Sequence, residues 1–275
     1  MGTSCEDDMT KPLITQKALI VVRTYPVPAM RGVEVSCTAA ITDEGKWLRF
    51  HPVPYRFLDP DQRFRKYQWV QVRISKGSDP RPESYKLSPG SLQVLSRPLP
   101  SSENWRQRKN VVLPLRSPSL CALRRAHDEN GSPTLGLFRP RTIRRLLIEP
   151  DDPSWSDAQL AALRQGSLFD EGEPKIELEK VPFRFRYEFQ CEDPGCHTWH
   201  RLICTDWEMG QAWRRWRDKY GKGWEKKFRQ RFETEMMTKY DTHFFVGTVF
   251  NHPGTWIIVG LFYPPRAKEL PLLEC

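Results

Sequence analysis

The chain has 275 residues, 39% of them hydrophobic, and 43 Lys+Arg against 34 Asp+Glu leave a formal net charge of +9. An aromatic content of 12% excludes disorder as the main state, and no run reaches the roughly 20 apolar residues that a membrane-spanning helix needs. The length admits one large or two modest domains, and no self-similar period points to a repeat array.

Residues 1–14 carry Glu6, Asp7 and Asp8 where a secretory leader would be basic and then apolar, so they read as an exposed tail on a cytoplasmic protein. Cys5, Cys37, Cys121 and Cys275 are far apart, unlike the dense disulfide framework of a small secreted domain. From Lys17 onward the chain is rich in short β-type runs: Ala18–Arg23, Val33–Ile41, Lys46–Phe50, Trp69–Ile74 and Ser91–Leu95. Gly45 follows Asp43 and Glu44 and supplies the positive-φ position of a tight hairpin, so the second and third runs should pair antiparallel. Five or six short strands within about eighty residues suggest a small barrel or a curled sheet.

Residues 100–168 mix helical candidates near Ser102–Lys109, Ser119–His127 and Ser156–Gln165 with strands at Thr134–Phe138 and Thr142–Ile148. The acidic stretch 169–181, with Gly172 and Pro174, reads as a linker between a β-rich domain over 15–168 and a C-terminal α+β domain over 182–275. That last domain begins with a strand over Val181–Gln190. Two helices follow near Asp206–Lys219 and Trp224–Lys239, then strands at Phe244–Phe250 and Trp256–Tyr263, the second apolar on both faces and so central in its sheet. The fold class expected is α+β, with a small N-terminal barrel-like unit.

Three features carry chemistry. Cys191, Cys196 and His200 surround a Pro-Gly turn at a spacing suited to part of a structural zinc site. The fourth ligand is open among Cys204, His197, His243 and a distant residue such as Cys37, with Cys204 placed first. The zinc deaminase pattern of His-x-Glu and a later Pro-Cys-x-x-Cys is absent.

Asp206 and Glu208 follow directly and could act as acid–base pair or Mg²⁺ ligands of a nuclease-like centre. They also fit a capping box with Thr205 as N-cap and Glu208 at N3.

Residues 201–240 hold eleven Lys/Arg against six Asp/Glu, on helices whose inner stripes are Trp213, Trp216, Phe228 and Phe232. A second basic stretch carries Arg124, Arg125, Arg139, Arg141, Arg144 and Arg145. Clustered arginine with nearby aromatic residues is the footprint of a nucleic-acid partner, DNA or RNA. Arg214, Arg215, Arg217, Lys226, Lys227 and Arg231 are the expected phosphate contacts, and Arg49, Tyr55 and Arg56 form a further candidate patch around a Pro-Val-Pro loop. The leading expectation is a nucleic-acid-binding protein with a structural zinc and no membrane attachment. The alternatives are a nucleic-acid-processing enzyme using Asp206 and Glu208, and a protein-interaction module. Walker, G-x-G-x-x-G, G-x-S-x-G and H-E-x-x-H patterns are all missing, which leaves kinase, dinucleotide oxidoreductase, α/β-hydrolase and zincin readings without support.

Overall fold

The computed structural model describes residues 12–28, 34–167 and 178–266. Most of the expected tail and most of the expected acidic linker therefore lie outside the described residues.

The first seven strands are β1 (Ile14–Arg23), β2 (Val27–Pro28), β3 (Glu34–Thr42), β4 (Trp47–Val53), β5 (Trp69–Ser75), β6 (Ser84–Leu87) and β7 (Gln93–Val94). Five of them run in the order β1-β3-β4-β6-β5, and β5 pairs back onto β1 to close a barrel. The hairpin between β3 and β4 turns at Gly45, whose φ of 77° a residue with a Cβ rarely adopts. Alternation along β1 divides its side chains between two cores. Ala18 and Ile20 point into the barrel with Phe50, Val70 and Val72, while Leu19 and Val21 point outward. The closing strand β6 falls between the expected runs Trp69–Ile74 and Ser91–Leu95, where no strand is expected from the sequence. It is four residues long, half-buried over most of its length, and pairs parallel to β4.

The linking region contains α1 (Ser102–Val112) and α2 (Leu120–Asn130). Helix α2 is capped by Ser119, whose hydroxyl accepts from the Ala122 amide at 2.9 Å, and it ends at Gly131 with φ of 66°. The first turn of α1 is irregular, with Glu103, Asn104 and Trp105 all at positive φ.

The second sheet has six strands, β8 (Leu135–Phe138), β9 (Pro140–Pro150), β10 (Phe183–Cys191), β11 (His200–Cys204), β12 (His243–Val249) and β13 (His252–Phe262). Their order is β8-β12-β13-β11-β10-β9. Residues 135–150, grouped with the N-terminal domain in the sequence reading, thus supply both edges of the C-terminal sheet. Helix α3 (Asp157–Ser167) lies between β9 and β10. On one face of the sheet pack α4 (Trp207–Tyr220), α5 (Trp224–Arg229) and α6 (Glu235–Thr238), the last two joined by a π-helical turn. Met209, Trp213, Phe228 and Phe232 meet Phe185, Tyr187 and Phe244 there. The other face of β12 and β13 presents Phe245, Val259 and Phe262 to the outer residues of β1 and β3, joining the barrel to the sheet. Central β13 is apolar on both sides because both sides are covered.

Candidate metal centre and the surface around it

Strands β10 and β11 pair antiparallel with Phe189 opposite His200, so Cys191 ends one strand as His200 begins the other. The turn between them folds back through a Cys196 N–H to Asp193 carbonyl bond of 3.0 Å, which brings Cys196 under the hairpin. The Cys191 Sγ, Cys196 Sγ and His200 Nε2 atoms meet a fourth group, Cys121 Sγ, and all four lie within 4.8 Å of one another. Cys121 Sγ is 3.7 Å from Cys191 Sγ and 3.7 Å from His200 Nε2, and Cys196 Sγ is 3.2 Å from the same nitrogen. This Cys₃His group can hold a metal ion. The fourth member is Cys121, not Cys204. Cys204 is four residues beyond His200 on the same strand, about 13 Å away at a rise of ~3.3 Å per residue, so it faces the same way but cannot reach. His197 is exposed on the turn, and His243 packs on Phe262 with its Nδ1 3.0 Å from the Asp241 carbonyl oxygen.

Cys121 reaches the cluster because α2 is tied to the hairpin by Asp193. One Asp193 oxygen accepts from the Gly195 amide at 3.2 Å, and the other accepts from Ser119 Oγ at 3.1 Å and Arg125 Nη2 at 2.7 Å. The helix cap and the knuckle turn thus share one buried carboxylate, which Arg125, Ser119 and the Gly195 amide hold below the usual carboxylate range. Burial pushes the Cys121 thiol up to about 12, and the neighbouring Cys196 and Cys191 sulfurs add to the shift. Burial, reinforced by Arg124, lowers His200 and favours the neutral imidazole that a metal requires.

The outer face beside this cluster is cationic. Strand β9 pairs Arg145 with Glu188 and then Ile143 with Phe189, so a bulge leaves Arg144 as an extra residue opposite the same carboxylate. Arg201 faces Glu188 from the other neighbour, β11. Three guanidinium groups therefore surround one carboxylate, with Arg144 at 3.1 Å, Arg145 at 3.2 Å and Arg201 at 2.7 Å. The Glu188 side chain is fully covered, whereas the three arginines are about half exposed. Arg144 also stacks 5.1 Å from the ring of Trp199, one of the exposed large hydrophobic residues.

The cationic residues expected on the helices are placed differently. Arg214 and Arg217 share Glu179, and Arg217 also meets Asp218. Arg231 pairs with Glu235 and Tyr240, four and nine residues along. Arg215, Lys226 and Lys227 are exposed. The Pro-Val-Pro patch is not an open surface. Arg49 is 1% exposed and donates to Thr134 Oγ1 at 2.9 Å, the Thr134 carbonyl at 2.8 Å and Ser84 Oγ at 3.3 Å, so it cross-links the barrel to the start of β8. Tyr55 donates to the Phe64 carbonyl at 2.7 Å and lies under the Arg23 guanidinium, and Arg56 pairs with Glu34 at 3.3 Å. Arg49→Ala is expected to cost about 2 kcal/mol in urea denaturation, because buried acceptors on Thr134 lose their donor.

Asp206 and Glu208 lie at the end of β11 opposite His200, so they do not adjoin the metal-competent group. Asp206, rather than Thr205, caps α4, because Thr205 is still paired in the sheet through Ile258 and Tyr25. One Asp206 oxygen accepts from the Glu208 amide at 2.7 Å, and the other accepts from the Leu261 amide at 2.7 Å and Lys66 Nζ at 3.3 Å. Glu208 accepts from Lys66 at 3.3 Å and from the Tyr263 hydroxyl at 2.6 Å. Burial raises Asp206, while for Glu208 the same penalty is outweighed by Lys66 and Tyr263 and the carboxyl lies below its ordinary value.

A five-stranded barrel docked on a helix-covered mixed sheet, with a Cys₃His group at one sheet end, defines a two-unit α+β protein with a metal-competent knuckle. Residues 116–274 match a family described as a domain of unknown function, DUF8757, and the chain belongs to that family. Residues 14–114 match a second domain of unknown function, DUF8758, and the two matches meet between the barrel and the second sheet. No curated protein matches the chain.

Proposed function

We propose that the protein binds nucleic acid, single strands in particular, through the arginine and tryptophan surface of a knuckle held by a structural zinc ion. The observation that carries this reading is the set of three half-exposed arginines gathered on buried Glu188 beside exposed Trp199. One carboxylate offsets only one of the three charges, and its ion pairs fix the guanidinium groups with their outer faces toward solvent. Guanidinium groups held in this way suit bidentate phosphate contact, and an exposed indole alongside offers a stacking platform for an unpaired base. Arg125 and Arg141, both exposed and both in contact with Asp193, extend the positive surface around the knuckle. DNA and RNA both satisfy this chemistry.

Zinc is favoured by the donor set and by its spacing. A tetrahedral ion with sulfur at about 2.3 Å and nitrogen at about 2.0–2.1 Å has sulfur–sulfur edges near ~3.8 Å and sulfur–nitrogen edges near ~3.6 Å. The Cys121–Cys191 distance of 3.7 Å and the Cys121–His200 distance of 3.7 Å lie close to those edges, and the Cys196–His200 distance of 3.2 Å is shorter than a sulfur–nitrogen edge. With all four positions filled by protein, the ion's role is to pin the β10–β11 turn to α2 and hold the arginine face in place.

The test is a salt series on single-stranded and duplex oligonucleotides. The triple variant Arg144→Gln/Arg145→Gln/Arg201→Gln should lower the magnitude of the log–log salt slope for single strands by about 2, at ~0.7 per phosphate contact. Trp199→Ala, which leaves the ion pairs intact, should weaken single-strand binding by about 1–3 kcal/mol and affect duplex binding less. Arg214→Gln/Arg217→Gln should change little, because Glu179 already neutralises that pair in part. Wild-type protein that ignores both strands and duplexes at low salt would end this reading.

A further inference from the structure

A second cationic site lies where the segment after the barrel meets the C-terminal sheet. Asn104, Lys109, Arg116, Arg139, Asp241 and Arg266 line a pocket of about 410 Å³. The residues come from α1, from the segment before α2, from the β8–β9 connection, from the connection between α6 and β12 and from the chain after β13. Pockets at such junctions between units are common ligand sites.

The charges in this pocket are only partly cancelled. Arg139 Nε meets Asp241 at 2.7 Å and its Nη1 meets Glu192 at 3.0 Å, and Arg116 is 3.9 Å from Glu192. Among the described residues, four cations therefore face two carboxylates. Arg266 is held by carbonyl oxygens, with Nε donating to Tyr240 at 3.0 Å and Nη2 to Met237 at 2.8 Å. These acceptors orient the guanidinium without neutralising it. The Asn104 amide, oriented so that both its bonds are made, donates to the Pro265 carbonyl at 2.7 Å and accepts from Lys109 Nζ at 3.2 Å. Lys109 is thereby aimed by a neutral group as well. Arg116 and Arg139 are about 40% exposed, so the pocket is open to a ligand.

The excess of two positive charges matches a phosphate monoester, which carries roughly −1.5 to −2 at pH 7, better than a backbone diester with its single charge. Arg139 and Arg266 also line an adjoining hollow of about 280 Å³ that contains Arg141, whose Nη2 lies 3.5 Å from the Asp193 carbonyl of the knuckle turn. The edge strand β9 thus carries cations from the rim of the pocket, Arg139 and Arg141, on to Arg144 and Arg145, which meet Glu188 and Arg201 on the other face of the sheet. We infer that this pocket binds a phosphomonoester dianion, and that its ligand is the terminal phosphate of a strand lying along the Arg144, Arg145 and Arg201 surface. The strand assignment rests on the nucleic-acid reading above, whereas the anion site stands on the pocket itself.

The experiment measures binding of short oligothymidylates bearing a 5′-phosphate, a 3′-phosphate or hydroxyls at both ends, with calorimetry of inorganic phosphate alone. One phosphorylated strand should bind at least about tenfold more tightly than the hydroxyl-ended strand, a difference of ~1.4 kcal/mol, and which one does so identifies the end. Inorganic phosphate should abolish that increment. Lys109→Gln/Arg266→Gln should erase the increment and the phosphate heat while the protein stays folded and the hydroxyl-ended strand still binds through Arg144, Arg145 and Arg201. Equal affinity for all three strands, with no heat from inorganic phosphate, overturns the pocket and leaves the nucleic-acid reading standing. Phosphate binding that the double variant loses, without binding of any strand, supports the anion site and overturns the nucleic-acid reading and the strand assignment with it.

Discussion

Replacing Cys121 with serine should remove the metal from the protein and lower its melting temperature by on the order of 10 °C. The residue is 70 positions before Cys191 in sequence, yet its sulfur lies 3.7 Å from the Cys191 sulfur and from the His200 nitrogen. An ion that binds the folded chain a thousandfold above its dissociation constant contributes about 4 kcal/mol, and each kcal/mol is worth roughly 2–4 °C in a chain of this size. Cys204→Ser provides the contrast. That thiol is buried and its ionisation is suppressed mainly by burial, but it belongs to another part of β11. Elemental analysis should therefore find about one zinc per chain in wild type and Cys204→Ser, and none in Cys121→Ser. Strong chelation of the wild type should reproduce the Cys121→Ser melting temperature. Zinc retained by Cys121→Ser, or lost from Cys204→Ser, would overturn the ligand assignment.

Lys66→Met should cost about 3–5 kcal/mol in denaturant unfolding, a loss of comparable size from a different cause. The Lys66 ammonium, with 15% of its side chain exposed, donates to Asp206, Glu208 and the Leu261 carbonyl, joining the loop before β5 to α4 and β13. Burial alone would push this lysine down; the two carboxylates reverse that and hold it well above its ordinary value. Removing it leaves Asp206 buried without its counter-charge, and breaking one side of a buried pair is expensive. The sign of the pH dependence follows. Without Lys66 the Asp206 carboxyl rises further, so the folded variant holds more protons than the unfolded chain and loses stability as pH increases. The deficit against wild type should therefore be smaller at pH 5 than at pH 7. A pH-independent loss below 1 kcal/mol would show that water replaces the ammonium at no cost.

Of the barrel, the short β-type runs between turn residues and the hairpin at Gly45 were legible, and they left a small barrel and a curled sheet both open. Its closing strand was not legible, because Ser84–Leu87 is short and its partner β4 is distant in sequence. Three members of the Cys₃His group, Cys191, Cys196 and His200, were legible. Cys121 could not be found from spacing, since tertiary contacts, among them the Ser119 and Arg125 bonds to Asp193, bring that helix to the turn. The grouping of Arg144 and Arg145 on one carboxylate depends on a bulge that no hydrophobic period reveals. The engagement of Arg231 by Glu235 was readable, because acids four residues away on a helix are ion-pair partners. Glu179, which takes up Arg214 and Arg217, lies 35 residues from the first of them and gave no such signal.

The central claim, that a zinc-held knuckle presents a nucleic-acid surface, is tested most directly by titrating a fluorescent single strand with zinc-loaded and chelator-treated protein across a salt series. The account predicts salt-sensitive binding by the loaded protein, weakened by Trp199→Ala, and a clear loss of affinity when the metal is withdrawn. Absence of binding by the loaded protein at low salt, or affinity indifferent to both the metal and Trp199, would contradict it.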